Sequence, residues 1–190
     1  MEIRECNKEI FKLAYEQSNP KNNKFAKTFM SKAKVMELWD KCFGIYDPNG
    51  SLLGAVVVTL SKRKPLVANL QLLHVFHEHR KNGYGRCLME FALSHAVDQG
   101  AEYFRVSSEP SAVKFYESLG LRMICEQKSG SQLSFSKIGG KTFDLCYNDS
   151  EDTQFQKVIN YKGRGGCTKL LGKNSFCLLY TSPSPRDCKT

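Results

Sequence analysis

The sequence predicts a mixed α/β (α+β) fold: a mainly antiparallel sheet flanked by helices on both faces. Three observations carry that expectation. Asp47-Pro48-Asn49-Gly50 is a strong turn signal between two apolar runs, and a hairpin forces antiparallel pairing. Val67–Val75, a helical pattern after Gly85 and the alternating EYFRVS of Glu102–Ser107 form a strand–helix–strand unit, whose crossover demands parallel pairing. Apolar helix faces then need both sides of the sheet to cover them.

The elements follow in order. Met1–Glu5 reads as a short strand with Ile3 inward. Asn7 caps a helix carrying Ile10, Phe11 and Leu13 at helical spacing. Asn19-Pro20-Lys21-Asn22-Asn23 is a break, and a second helix is expected from Phe25 to Asp40, with Phe29, Val35, Met36, Leu38 and Trp39 on its apolar side. Cys42–Tyr46 and Ser51–Leu60, which contains AVVVTL, flank the hairpin turn. Ser61–Pro65 turns the chain into Val67–Val75. The helix after Gly85, beginning at Arg86, carries Leu88, Met89, Phe91, Ala92 and Ala96 and ends near Gly100. Ser111–Leu119 is a short helix closed by Gly120, and Leu121–Cys125 returns as a strand. Gln132–Lys137 and Lys141–Tyr147 are further strands around Gly139-Gly140. Ser150 is expected to cap a last amphipathic helix with Phe155, Val158 and Ile159, stopped by Gly163-Arg164-Gly165-Gly166.

Composition bounds the function. A chain of 190 residues, 41% hydrophobic and 25% charged, suits one globular domain with a sizeable core. No apolar run reaches the roughly 18 residues of a membrane span, and MEIRECNKEI is not a signal peptide. A cytoplasmic protein without a membrane partner is expected. The eight cysteines show no metal-ligand spacing and read as scattered reduced thiols. The net charge of +9 fits either a solvated basic face or attraction to a polyanion, and no nucleic-acid motif supports a nucleic-acid partner. Cys177–Asp187, CLLYTSPSPRD, resembles a translated reading frame of a common sequencing adapter, so residues 177–190 are expected to be an artefactual tail rather than a natural Pro/Ser tail.

The stretch LLHVFHEHRKNGYGR, Leu72–Arg86, is the most informative. A strand gives way to Arg80-Lys81-Asn82-Gly83-Tyr84-Gly85 and then to a helix. The first N–H groups of a helix lack partners and the dipole adds positive potential, so an anion is favoured there. Gly83 and Gly85 lack a Cβ and let a diphosphate approach the backbone. His77 and His79 flank Glu78, but alternate residues diverge without a third ligand, and no metal is expected.

This turn resembles the acyl-CoA motif of the GNAT acetyltransferase family, Gln/Arg-x-x-Gly-x-Gly/Ala, at every fixed position. A second segment, Ser111-Ala112-Val113-Lys114-Phe115-Tyr116-Glu117-Ser118-Leu119-Gly120-Leu121, is similar to the family's later helix, where a tyrosine stands four residues before a glycine. The similarity spans roughly residues 1–137, a GNAT domain, with 138–176 left as a C-terminal extension. The resemblance implies acetyl-CoA as co-substrate, with Arg80, Lys81, Asn82, Gly83, Tyr84, Gly85 and Arg86 on its diphosphate. It implies that Leu73, His74 and Val75 line the pantetheine arm as a pseudo-strand. It implies that Tyr116 protonates the departing sulfur, a reasonable match for a phenol of pKa ~10 and a thiolate of ~8.5.

The resemblance further implies direct attack by a primary amine of a small molecule or peptide. Removing the ammonium proton costs about 4–5 kcal/mol at pH 7, and the base is less legible. Some relatives place a glutamate on the strand before the motif; counting back from Arg80 gives Asn69, and neither it nor Gln71 is a base. Strand alternation turns His74 away from that face. Glu109 is the nearest carboxylate by sequence, and a water relay is equally open. Two alternatives stay open: a GNAT-fold module that binds acyl-CoA without turnover, and a basic nucleic-acid-binding protein. A homodimer is also left open. The basic, Asn-rich Ser18–Thr28 and the basic Lys128–Lys141 favour an acidic or neutral acceptor, such as an α-amine, over a polyamine, whereas Asp144, Asp149, Glu151 and Asp152 would favour the reverse if they fold over the site.

Overall fold

The computed structural model describes residues 1–18, 41–138, 152–163 and 165–171. The expected helix at 25–40, the strand at 141–147 and the capping Ser150 lie outside them. The strands are β1 (Glu2–Glu5), β2 (Cys42–Tyr46), β3 (Leu52–Leu60), β4 (Val67–Val75), β5 (Tyr103–Ser108), β6 (Cys125–Gln127), β7 (Gln132–Lys137) and β8 (Cys167–Leu170). The helices are α1 (Lys8–Ser18), α2 (Tyr84–Asp98), α3 (Val113–Ser118) and α4 (Thr153–Ile159). The described residues form two compact units, one within Met1–Thr59 with Leu70–His95, the other within Leu60–Asn69 with the described residues from Ala96 to Leu171.

In the first unit the hydrogen-bonded order is β1-β2-β3-β4. β1 and β2 pair antiparallel, as do β2 and β3. The β2–β3 turn is the one the sequence announces: Asp47 Oδ1 accepts from the Asn49 and Ser51 N–H groups at 2.9 and 2.7 Å, and Gly50 takes φ +82°. Asn7 caps α1 by accepting from the Ile10 N–H at 2.9 Å. Phe11 and Tyr15, four residues apart, are the inward side chains of α1, and they pack on Cys42, Tyr46, Ala55, Val57, Leu72 and Phe76. Ile10 and Leu13, expected on the apolar face, are instead 40% and 59% exposed. They lie on either side of the Phe11–Tyr15 stripe. Strand alternation sends Phe43 to the opposite face, where Phe91 and His95 of α2 meet it, both at 4.9 Å between centroids. Helices therefore cover both faces, as the sequence predicts.

In the second unit the order runs β4-β5-β7-β6-β8. The Glu102 and Tyr103 N–H groups both donate to Leu66 O, at 2.8 and 3.2 Å. β4 and β5 thus start side by side, joined by a helical crossover, and are parallel. β5–β7, β6–β7 and β6–β8 are antiparallel. The core gathers Tyr103, Leu133, Phe135 and Ile124 under Phe155 of α4, with Val158 and Ile159 at its margin. Tyr103 stacks on Phe135 at 5.1 Å.

Several expectations change here. α4 is capped by Asp152 Oδ1, which accepts from the Gln154 and Phe155 N–H groups at 2.8 and 3.1 Å. The Tyr103 hydroxyl donates to the other carboxylate oxygen at 2.9 Å. The strand expected at Leu121–Cys125 lies instead at Cys125–Gln127, in register with β7 at Cys125 and Glu126 and with β8 from Cys125 to Gln127. β8 has no apolar rhythm and is organised by pairing with β6. The thiols are not all reduced: Cys125 and Cys167 form a disulfide across β6 and β8, 42 residues apart in sequence, while Cys6, Cys42 and Cys87 carry no disulfide. Such a pair is set by strand pairing, which cysteine spacing does not report. Among the described residues no helix is long and apolar enough to cross a membrane.

Candidate active site

The first unit contains the turn expected to hold a diphosphate. Phe76 ends β4 inside the core, its N–H donating to Leu53 O at 3.1 Å. His77–His79 make one 3₁₀ turn. Arg80 then folds back, its Nε donating to Val75 O at 3.1 Å. Lys81 adopts φ +67° and Gly83 φ +81°, so successive peptide N–H groups converge into a concave nest. Gly83 O accepts from the Arg86 and Cys87 N–H groups at 2.9 and 3.1 Å, which starts α2 at Tyr84, two residues earlier than expected.

Among the described residues the N–H groups of Lys81, Asn82, Gly83, Tyr84 and Gly85 donate to no backbone carbonyl. A Cβ placed on Gly83 would meet nothing within 4 Å, so the space above the turn is open. Arg80, Lys81, Asn82, Gly83 and Arg86 are exposed. Free donors, open space and three cations fit a diphosphate.

Leu73 and Val75 are half-buried. His74 is 5% exposed, its ring 5.1 Å from Phe76 and 5.8 Å from Phe11. Burial, and secondarily the Arg80 charge, push its pKa down to about 4. Its side chain belongs to the α1 core rather than to a cofactor arm. Asn69 Nδ2 donates to Val67 O at 3.1 Å and Gln71 Nε2 to Thr59 Oγ1 at 3.0 Å. Neither is a proton acceptor for an ammonium. His79 and Glu78 approach to 3.8 Å at the surface. Among the described residues no group of three His, Cys, Asp or Glu is placed to hold a metal.

The second unit holds the two expected catalytic side chains. Glu109 is exposed and opens the Pro110–Ala112 3₁₀ turn, its carbonyl accepting from the Ala112 N–H and the Ser108 hydroxyl, both at 2.9 Å. Tyr116 is the buried residue of α3, with Phe115 edge-on at 5.1 Å. Gly120, at φ +86°, closes that helix as expected. Burial pushes the Tyr116 phenol above its ordinary range, so it stays protonated and able to donate. The residue that sequence reasoning passed over is Arg105, a half-buried cation on β5. The available signal was its phase, in step with Tyr103 rather than at an outward position.

The sequence model of an acetyltransferase (GNAT) domain matches residues 12–137. No curated protein matches the sequence significantly. Similar solved structures include Ard1 from Thermoplasma volcanium, 18% identical over 73% of this chain and 98% of that one, with a TM-score of 0.55. Another is the PaiA N-acetyltransferase from Thermoplasma acidophilum in complex with coenzyme A, at 16% identity, 72% and 98% coverage and a TM-score of 0.54. A third is an aminoglycoside 6'-N-acetyltransferase complexed with coenzyme A, at 14%, 72% and 97%, with a TM-score of 0.56. At these identities the likeness is one of fold.

Proposed function

The chain belongs to the GNAT acetyltransferase family, and from that premise we propose how its residues divide the transfer of an acetyl group from acetyl-CoA to a primary amine. When bound, acetyl-CoA supplies an acyl thioester: the amine nitrogen bonds to the acetyl carbon, the carbon–sulfur bond breaks, and the thiolate leaves. The amides of Lys81–Gly85 hold the diphosphate, with Arg80, Lys81 and Arg86 supplying charge. The main chain of Leu73, His74 and Val75 meets the amides of the pantetheine arm. Tyr116 hands its phenolic proton to the sulfur. Glu109 takes the proton that the ammonium must lose, directly or through water, and the second nitrogen proton, lost after attack, returns through water to the Tyr116 phenolate. The observation that carries this reading is the open turn of unpartnered amides at the start of α2.

A second reading is a module that binds acyl-CoA without turnover. The engaged amides of Asn69 and Gln71, where some relatives keep a carboxylate, favour it. A thiol-release assay with acetyl-CoA and a panel of primary amines separates the two. Amine-dependent thiol release, with the acetylated amine identified by mass, is the expected result. Saturable binding without transfer to any amine would leave the binding module. A folded protein that fails to bind millimolar acetyl-CoA would overturn both.

A further inference from the structure

We infer that Arg105, with Gln127 and the turn at Gly165, forms a recognition site for a carboxylate carried by the acceptor amine. The inference rests on the acetyltransferase reading above. Arg105 sits mid-way along β5, opposite Phe135 in the register with β7, and it is half-buried. The ion pairs found among the described residues are Arg4–Glu2, Lys12–Glu16 and His79–Glu78, none of which includes it. A guanidinium withdrawn from water without a counter-charge is costly, so such groups are generally paired or wait for a ligand. Its desolvation is evident, since burial lowers its pKa against the opposing effect of nearby Tyr161.

The neighbours of Arg105 supply further donors. Gln127 is 5% exposed, and its Nε2 donates to Gly165 O at 2.7 Å, fixing the turn over the strands. A methyl group built on Gly165 would lie 3.6 Å from both Arg105 Nη2 and Gln127 Nε2. With no side chain, Gly165 leaves these two nitrogen donors uncovered on its side. Lys128, whose Nζ donates to Lys162 O at 3.1 Å, adds a second cation on the same turn. A guanidinium with an adjacent amide donor suits the two oxygens of a carboxylate. β5 continues directly into Glu109 and the helix of Tyr116. The structure thus favours an amino acid or peptide α-amine over a polyamine.

The test compares amino acids with their amides as acceptors. The wild type should use the acids at a KM about 30-fold lower or better, in line with the loss of a charge-assisted bidentate contact. Arg105→Gln should raise the KM of the acids to that of the amides, leave the amides within about 2-fold, and leave acetyl-CoA affinity unchanged. Arg105→Lys should recover part of the preference. Gly165→Asp, which supplies an internal carboxylate beside an intact Arg105, should abolish it as well. Equal use of acids and amides by the wild type, or a preference that survives Arg105→Gln, overturns the proposal. Calorimetric titration with N-acetylated amino acids and their amides gives a readout independent of turnover. Binding of the acids alone, lost in Arg105→Gln, supports the site even if no amine in the panel is acetylated. Absence of binding, or binding that does not compete with an acetylated amine, overturns the acceptor assignment.

Discussion

Under the function proposed above, the turn at Arg80–Gly85 and the helix at Val113–Ser118 contribute to one reaction by opposite means. The turn faces solvent and offers peptide N–H groups, which every residue but proline carries. Those donors do not depend on side-chain identity, and their geometry depends on a backbone that bends through left-handed angles at Lys81 and Gly83. The helix offers one phenol, buried and held protonated, with no substitute beside it. Cofactor anchoring is thus spread over many weak donors, whereas proton delivery is concentrated in one atom. The first should degrade gradually under side-chain substitution, the second all at once.

The largest effect should come from Tyr116→Phe. Loss of a general acid lowers kcat by about 10²–10⁴-fold, and the affinity for acetyl-CoA should stay within about 2-fold by titration. A mutant that loses both together would break the division just drawn.

The next effect concerns the strand that enters the turn. His74 folds with a pKa near 4 against an ordinary 6.5. Between these values the unfolded chain binds the extra proton. Stability is therefore full above about pH 6.5 and falls as the pH drops toward 4, by up to about 3 kcal/mol. Denaturant titrations at pH 7 and pH 5 should reveal the slope, and His74→Phe should flatten it.

Gly83→Glu comes third. The positive φ penalises any side chain by about 1–2 kcal/mol, and the carboxylate would repel a diphosphate. Acetyl-CoA binding should weaken on the order of 100-fold, equivalent to about 2.7 kcal/mol. The open space above Gly83 means that the fold itself should survive with only the backbone penalty.

The smallest effect should be Asp152→Ala. It removes the N-cap of α4 and the Tyr103 contact, costing about 1–2 kcal/mol by denaturant titration. Acetyl-CoA affinity should not change. The Asp152 carboxyl is desolvated, which raises its pKa, but the Phe155 amide, the Tyr103 hydroxyl and the Gln154 amide outweigh this and hold it low. Its contribution is therefore present above the ordinary carboxylate pKa and lost as the pH falls through the lowered value.

The contrast between turn and helix also explains what the sequence discloses. The hairpin at Asp47–Gly50, β4 and the phosphate turn were legible because each is specified by residues next to one another: an Asx turn, an apolar run, two glycines at fixed spacing. The inward face of α1 was half legible, since Ile10, Phe11 and Leu13 compete for one stripe and tertiary packing selects Phe11 with Tyr15. β8, the Cys125–Cys167 bond and the grouping of Arg105 with Gln127 and Gly165 were not legible. Each joins positions far apart in the chain, and only the pairing of β5, β7, β6 and β8 brings them together. A base for the acceptor amine has no local signature either, which is why Glu109 rests on its place before the Tyr116 helix alone.

The Cys125–Cys167 bond also has a practical consequence at the bench. Any protease nick between those two positions yields two polypeptides that stay covalently joined. On a denaturing gel without reductant the clipped protein keeps its intact mass, and with reductant it separates into two bands. A preparation judged whole from the first lane alone can therefore be cut throughout, and domain-mapping digests of this chain need both lanes to be read together.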